Sequence, residues 1–180
     1  MSKLGKKPID LLEGVTFTQE GRNITIKGPK GELSYIISDD FILEISEKDF
    51  RVSPKKLTLE SNTMWGTTVA HLKNKMQGVF SGFEKRLEVE GVGYRVEVQG
   101  QELILNIGYS HSVKLDIPKD LSVRTEKNTV VVAGLDKESV GQFAALVRFQ
   151  RKPNVYKGNG IRYSDEIIRR KSGKKVASSS

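Results

Sequence analysis

The same order of elements, several strands followed by one helix, occurs twice along this chain of 180 residues. Most of each half alternates between aliphatic or β-branched residues and polar ones, with short breaks such as GPKG, QGQ and EKN. Alternation with a period of two predicts antiparallel strands, and the breaks predict tight turns between them. Because a sheet with one apolar face needs a second layer to cover it, the helix of each half is expected to pack on its strands.

Both helices are predicted from apolar residues that recur every three or four positions. The first is expected from Trp65 to near Gly82, with an N-cap within Ser61–Thr63. Its expected apolar face contains Trp65, Thr68, Val69, Leu72, Met76, Val79 and Phe80. The second is expected from about Lys137 to about Gln150, capped by Asp136 and stopped by Pro153. Its expected apolar face contains Val140, Phe143, Ala144 and Val147.

The two halves also resemble each other residue by residue. The segment DFILEISEKDFRVSP, Asp40–Pro54, resembles DLSVRTEKNTVVVAG, Asp120–Gly134, and Gly66 falls opposite Gly141 in the two helices. A chance match is the alternative, since short β-rich segments repeat easily, but the agreement with element order favours a duplication. The predicted fold class is therefore α+β, with two tandem duplicated domains that each pack a small, mainly antiparallel β-sheet against one α-helix. The expected domains are residues 1–82 and 83–175, followed by a disordered tail at 176–180.

The positive charge of the chain is concentrated at its C-terminal end. Residues 1–147 contain 20 basic and 20 acidic side chains, whereas residues 148–180 contain 10 basic and 2 acidic ones, which gives the whole net charge of +8. A solvated, self-repelling tail is one interpretation of such a block. The cations alternate with glycines and tyrosines, however, and this favours a polyanionic partner, with nucleic acid as the leading candidate.

The segment NVYKGNGIRY follows the stop at Pro153. Its Gly158-Asn159-Gly160 turn allows positive φ and close backbone approach, which a plain hairpin would also need. A plain hairpin does not need the flanking Lys157 and Arg162 or the tyrosines around them, which can reach phosphates and stack on unpaired bases. The predicted RNA-binding residues are Arg148, Arg151, Lys152, Tyr156, Lys157, Gly158, Asn159, Gly160, Arg162, Tyr163, Arg169, Arg170, Lys171, Lys174 and Lys175.

The sequence offers no catalytic constellation. There is no Cys, and the two His residues, His71 and His111, are forty positions apart, so we expect no catalytic residue, metal site or cofactor and no small-molecule substrate. GVGYRV, Gly91–Val96, fails the G-x-G-x-x-G pattern and lies in a strand-like run, which indicates a bulge or close backbone packing. An RNA-processing enzyme that holds RNA on the same basic patch is the alternative function, although perturbed acid-base groups are not evident.

A membrane role is disfavoured by the distribution of apolar residues. No window approaches eighteen apolar residues, and the N-terminus lacks the pattern of a signal peptide, so a cytoplasmic location is expected. The basic end also lacks the long apolar face by which interfacial helices hold to a membrane surface.

Several motifs together resemble one known family. PNVYKGNGIRY followed by RRKSGKK resembles the C-terminal signature of the sixth protein of the bacterial large ribosomal subunit, usually Pro-Glu-Pro-Tyr-Lys-Gly-Lys-Gly-Ile-Arg-Tyr. Glu90–Arg95 and LNIGYSHSV, Leu105–Val113, are similar to its second domain. GKKPI and Ile26–Ser34 are similar to its first domain, so the resemblance runs in order from Met1 to Lys175.

The resemblance implies a structural role without catalysis. It implies binding to 23S ribosomal RNA near the factor-binding, sarcin-ricin region, mainly through the C-terminal domain, together with other ribosomal proteins. The positions that match the family's signature are Pro153, Tyr156, Lys157, Gly158, Gly160, Ile161, Arg162 and Tyr163. Asn154-Val155 stands where the family has Glu-Pro, which removes a rigid φ, and Asn159 stands where it has a Lys, which removes one cation.

Overall fold

The structure, a computed structural model, describes residues 5–46 and 49–173. They divide into two compact units. The first contains the residues up to Phe83 together with Leu135–Lys137, and the second contains Glu84–Gly134 and the residues from Glu138 onward. Lys174, Lys175 and the predicted tail at 176–180 lie outside the described residues.

In the first unit, short antiparallel strands precede a long helix. The described elements are β1 Ile9–Asp10, β2 Thr16–Glu20, β3 Asn23–Gly28, β4 Gly31–Ile36, β5 Phe41–Ile45, β6 Asp49–Pro54 and α1 Leu59–Ser81. The strands form two sheets, ordered β2-β3-β4 and β1-β6-β5, and α1 packs on β3, β4 and β6. Along each strand, inward-facing side chains alternate with outward-facing ones, and the inward-facing ones form the core together with α1. Phe17 and Phe50 stack with ring centroids 4.9 Å apart, and Trp65 Nε1 donates to the Val52 carbonyl at 2.7 Å.

The first helix begins earlier than its apolar pattern predicts. Thr58, and not the segment Ser61–Thr63, is the N-cap, because Thr58 and Ser61 bond each other's backbone N–H in a capping box. The first turn gives no apolar signal, since Leu59 is 88% exposed. Phe80 is also exposed rather than part of the buried face. The remaining predicted face is buried, with Trp65, Thr68, Val69, Leu72, Met76 and Val79.

The second unit repeats this plan and adds one strand. Its elements are β7 Phe83–Glu90, β8 Arg95–Gln99, β9 Glu102–Asn106, β10 Val113–Asp116, β11 Leu121–Glu126, β12 Thr129–Gly134, α2 Lys137–Gln150 and β13 Gly160–Tyr163. The sheets are ordered β8-β9-β10 and β11-β12-β7-β13. The second helix has the predicted bounds, and the predicted Val140, Phe143, Ala144 and Val147 are its buried residues.

The strand orders support the predicted duplication. The order β1-β6-β5 corresponds to β7-β12-β11, and β2-β3-β4 corresponds to β8-β9-β10. The hairpin β5–β6 pairs Phe41 with Pro54, and β11–β12 pairs Leu121 with Gly134 at the equivalent positions. Among the described elements, β13 is the one without a counterpart in the first unit. The α+β fold class is confirmed, and the strands of each unit divide between two sheets.

The GVGYRV segment begins as a turn, Gly91–Tyr94, and its last two residues, Arg95 and Val96, begin strand β8. Gly91 to Tyr94 connect β7 to β8, with Gly93 at a φ of +77° and the Tyr94 N–H donating to the Gly91 carbonyl at 3.3 Å. The predicted close packing is present, since a Cβ on Gly91 would lie 2.5 Å from Tyr94 Cδ2. Gly91 therefore lies close against the Tyr94 ring, where a side chain would not fit.

Candidate nucleic-acid interface

The basic loop, residues 151–160, connects α2 to β13 and is closed by backbone hydrogen bonds. Asn154 N donates to the Asn159 carbonyl at 2.8 Å, and Gly158 N donates to the Asn154 carbonyl at 2.8 Å. At the base of the loop, Ile161 N donates to the Arg151 carbonyl, also at 2.8 Å. Because both ends are bonded to each other, the loop has a defined shape within the domain.

The Asn154 side chain supports the loop from inside. Its Oδ1 accepts from the backbone N–H of Tyr156 at 2.8 Å and of Lys157 at 3.3 Å, an Asx-type arrangement. The loop therefore has a local constraint at the position where the resembled family has Glu-Pro. The following chain also contacts it, because Lys171 N donates to the Val155 carbonyl at 2.9 Å.

Both loop glycines have positive φ, as their sequence context predicts, +77° at Gly158 and +143° at Gly160. They are buried, and the space beside them is filled by this domain. A Cβ on Gly158 would lie 2.5 Å from Arg170 Nη2, and one on Gly160 would lie 2.6 Å from Pro153 Cα. Their close contacts are therefore internal to this domain, and close approach of the loop backbone to a partner stays a prediction.

Of the eight predicted cations that the structure describes, Arg148 and Arg162 are held closely by acids of the same domain. The Arg148 guanidinium donates to both carboxylate oxygens of Glu166, with Nε to Oε2 at 2.8 Å, and its side chain is 28% exposed. This hydrogen bond lowers the pKa of Glu166, and it raises the pKa of Arg148. Arg162, 26% exposed, pairs with Glu88 and with Glu90 on the neighbouring strand β7.

The other cations have a different environment. Arg151, Lys152, Lys157, Arg169 and Lys171 pair with no carboxylate of the described residues. Arg170 is exposed and lies 3.9 Å from Glu90, a distance at which solvent screens the pair strongly. Apart from Arg151, which is half-buried, these side chains are exposed. They are the part of the basic block whose charge is available to a partner.

The predicted tyrosines also differ from each other. Tyr156 is 59% exposed on the basic loop. Tyr163 is half-buried, with Lys85 Nζ at 5.3 Å and the Arg148 guanidinium carbon at 5.7 Å from its ring centroid. Tyr163 therefore packs with cations of its own domain, and Tyr156 presents a ring to solvent.

Two further tyrosines lie beside the basic loop and were not among the predicted residues. Tyr109 donates from its hydroxyl to the Gln150 carbonyl at 2.9 Å, and the Arg151 guanidinium lies 4.8 Å from its ring centroid. Tyr94 lines a concave site with the loop. Each follows a glycine of positive φ, Gly93 or Gly108, in the motifs GVGYR and NIGYS that carry the family resemblance. Those motifs were the available signal for their position.

The available cations of the loop converge on one concave site of about 410 Å³. Its lining residues are Tyr94, Arg151, Lys152, Asn154, Lys157 and Asn159, with no carboxylate among them. A site with three cations and no acid is electropositive and suits an anion, and the tyrosine adds an apolar surface. The arrangement can therefore hold a phosphate group together with an aromatic ring.

The described residues contain no cluster of three His, Asp or Glu side chains placed to hold a metal ion. Within residues 5–46 and 49–173, no helix has the length and apolar character needed to cross a membrane. His71 stacks on Tyr35 at 6.0 Å between centroids, and His111 stacks on Tyr109 at 6.0 Å. Both histidines therefore make packing contacts within their own units.

Comparison with known proteins gives one consistent result. The family model of ribosomal protein L6 matches residues 13–82 and 90–164, one segment in each half. Large ribosomal subunit protein uL6 of Methylobacterium sp. (strain 4-46) is 48% identical over 178 residues, covering 97% of this chain and 99% of that protein. The proteins of the same name from Bartonella henselae and from Rhodopseudomonas palustris (strain BisB5) are each 46% identical over 176 residues, with 97% and 99% coverage.

These relatives are structural ribosomal proteins and not enzymes, which decides against the RNA-processing alternative. The match extends through both duplicated halves and through the basic loop. The chain belongs to the ribosomal protein L6 family, whose members are proteins of the large ribosomal subunit.

Proposed function

We propose that the chain binds 23S ribosomal RNA mainly through its C-terminal domain, residues 83–175, near the factor-binding region that contains the sarcin-ricin loop. There it supports subunit assembly and translation in the cytoplasm, beside other proteins of the large subunit. The observation that carries this proposal is the separation of paired from available cations. Arg148 and Arg162 hold the C-terminal segment, while Arg151, Lys152 and Lys157 lie together on the preformed loop.

The physical basis is phosphate neutralisation by a surface of fixed shape. RNA helices present their backbone and a shallow minor groove, so proteins recognise helical RNA mainly by shape and phosphate position. Lysine and arginine side chains release condensed counterions when they neutralise phosphates. A loop that is already closed by hydrogen bonds has little conformational entropy to lose on binding.

The test is binding of the full chain to purified 23S ribosomal RNA, measured across a series of salt concentrations. Six described cations of the basic block remain once the paired Arg148 and Arg162 are set aside, and the sequence adds Lys174 and Lys175, so log K should fall against log salt with a slope roughly between −4 and −7. A slope near zero would contradict the electrostatic mechanism.

A matched pair of variants locates the surface. Lys157→Ala should weaken binding by about 1–3 kcal/mol, because it removes a charged contact from the loop. Lys119→Ala removes the same charge in the connection between β10 and β11, and it should leave the affinity nearly unchanged. Equal losses in both variants would mean that net charge matters and the loop does not.

A further inference from the structure

The concave site between Tyr94 and the basic loop contains more than the cations that binding to a duplex backbone requires. Six residues line it, namely Tyr94, Arg151, Lys152, Asn154, Lys157 and Asn159. Its volume of about 410 Å³ falls within the roughly 300–1,000 Å³ typical of small-ligand sites. The outer phosphates of a helix need only a convex or flat cationic surface, whereas a half-open concavity of this size can accept a whole chemical group.

A concavity of nearly equal size in the first unit differs from this site in its charge. It measures about 400 Å³, and its lining includes Lys27 and Glu32, whose charges neutralise each other at 3.0 Å. In the site beside the basic loop, the three cations pair with no carboxylate of the described residues. The two concavities therefore differ in charge, and the one beside the basic loop is the electropositive one.

The Tyr94 ring is held in place by backbone on both neighbouring turns. A Cβ on Gly91 would lie 2.5 Å from Tyr94 Cε2, and a Cβ on Gly108 would lie 3.0 Å from Tyr94 Cε1. A ring fixed in this way loses little entropy when another ring stacks on it. Base stacking on an aromatic side chain is sequence-tolerant and contributes substantially to binding of unpaired nucleotides.

The loop also supplies an amide. The side chain of Asn159 lines the site and makes no hydrogen bond to the described residues, so its donor and acceptor remain for a base edge. Asn154 differs, because its Oδ1 is already used by the N–H groups of Tyr156 and Lys157. Cations for the phosphate, a fixed ring for the base and a free amide for its edge are thus present at one site.

We propose that this site takes a single unstacked nucleotide of the bound RNA, with its base against Tyr94 and its phosphate among Arg151, Lys152 and Lys157. A base inside a duplex has both faces covered by its neighbours, so only a bulged or looped nucleotide can enter. The inference rests on the proposed RNA-binding function and narrows it. It adds a preference for RNA that offers one extruded nucleotide.

The experiment compares two RNA hairpins of equal length, one fully paired and one with a single bulged 2-aminopurine. With the full wild-type chain, the bulged hairpin should bind about tenfold more tightly, in line with one base stacked on an aromatic ring. The 2-aminopurine fluorescence should fall on binding. Equal affinity for the two hairpins, at a salt slope that still shows phosphate binding, would overturn the pocket and leave the proposed function standing. If the chain binds neither hairpin and does not bind 23S RNA, the proposed function itself is contradicted.

Three variants assign the effect to the ring. Tyr94→Leu should abolish both the tenfold preference and the fluorescence change, while Tyr94→Phe, which keeps the ring, should retain both. Phe80→Leu is the matched control, because Phe80 is an exposed aromatic residue of the first unit that does not line the site. A preference that survives Tyr94→Leu would overturn the assignment. The wild-type comparison of the two hairpins decides the proposal even if Tyr94→Leu does not fold.

Discussion

Arg148 at the end of α2 and Glu166 after β13 form a bidentate ion pair, in which the guanidinium donates to both carboxylate oxygens. Glu166 also accepts from the Tyr163 backbone N–H at 3.3 Å, so one acid joins the helix to the last strand. Both side chains are less than a third exposed. A bidentate, partly desolvated pair contributes more than an ordinary surface pair.

Replacing Glu166 with Gln should lower the free energy of unfolding by about 1–2 kcal/mol, since Arg148 then lacks its charged partner. Urea denaturation of the full chain measures the change. The neighbouring Asp165→Asn is the control, because Asp165 is 75% exposed and lies 3.9 Å from Lys85. We expect Asp165→Asn to stay within about 0.5 kcal/mol of wild type. Equal effects of the two changes would argue against a special role for the pair.

The same pair predicts a pH dependence of stability. The hydrogen bond from Arg148 lowers the pKa of Glu166 below its ordinary value of 4.5. A carboxyl group with a lowered folded-state pKa binds protons more readily when unfolded, so its contribution is complete above pH 4.5 and is lost as the pH falls further. The stability difference between wild type and Glu166→Gln should therefore shrink on acidification below this pH. Urea midpoints measured for both proteins across that range check it, and a constant difference would contradict it.

Removing the Arg162 side chain should change the free energy of unfolding much more than removing the Lys157 side chain. Arg162→Ala leaves Glu88 and Glu90, which point to the same face of β7, without their shared cation. We expect a loss of about 1–3 kcal/mol in the free energy of unfolding. Lys157→Ala, at an exposed position, should change it by less than about 0.5 kcal/mol. If Arg162→Ala leaves stability intact, the ion pairs around it do not hold β13.

Gly160 should tolerate no side chain. An added Cβ would lie 2.6 Å from Pro153 Cα, and the φ of +143° disfavours any other residue, so Gly160→Ala should cost about 2–4 kcal/mol of stability. Gly141→Ala on α2 is the control, because nothing lies within 4 Å of its added Cβ. In a helix this change should stabilise by about 0.5–1 kcal/mol. Thermal unfolding of both variants tests the contrast, and a stable Gly160→Ala protein would contradict it.

The sequence was sufficient to predict the bounds of a helix where the local pattern and the tertiary environment agree. The second helix has its predicted bounds because its apolar positions all face the core and Pro153 follows it. The first helix starts before its predicted N-terminus because Thr58 and Ser61 are both good capping residues and Leu59 is exposed. Apolar periodicity carries no information where a helix turn faces solvent.

In the candidate site, the sequence could not predict contacts between residues that are distant along the chain. The ten cations could be counted from the sequence, but Arg162 is paired by acids of strand β7, some seventy residues away along the chain. Tyr94 could not be assigned to the site for the same reason, because its neighbours on the loop are distant in sequence. Tertiary pairing, rather than composition, separates the cations that support the fold from those available to a partner.

The addition of β13 to the edge of the second sheet also concerns how the chain is made. Strand β7 lies between β12 and β13, so a nascent chain that has emerged only as far as Gln150 has an unpaired edge at β7. Unpaired edges invite association with other chains. Deleting everything after Gln150 would create the same edge permanently, which makes point substitutions the better probe of the interface. During synthesis, the second unit can complete this sheet and close its basic loop only after Gly160–Tyr163 has emerged and is free to pair with β7.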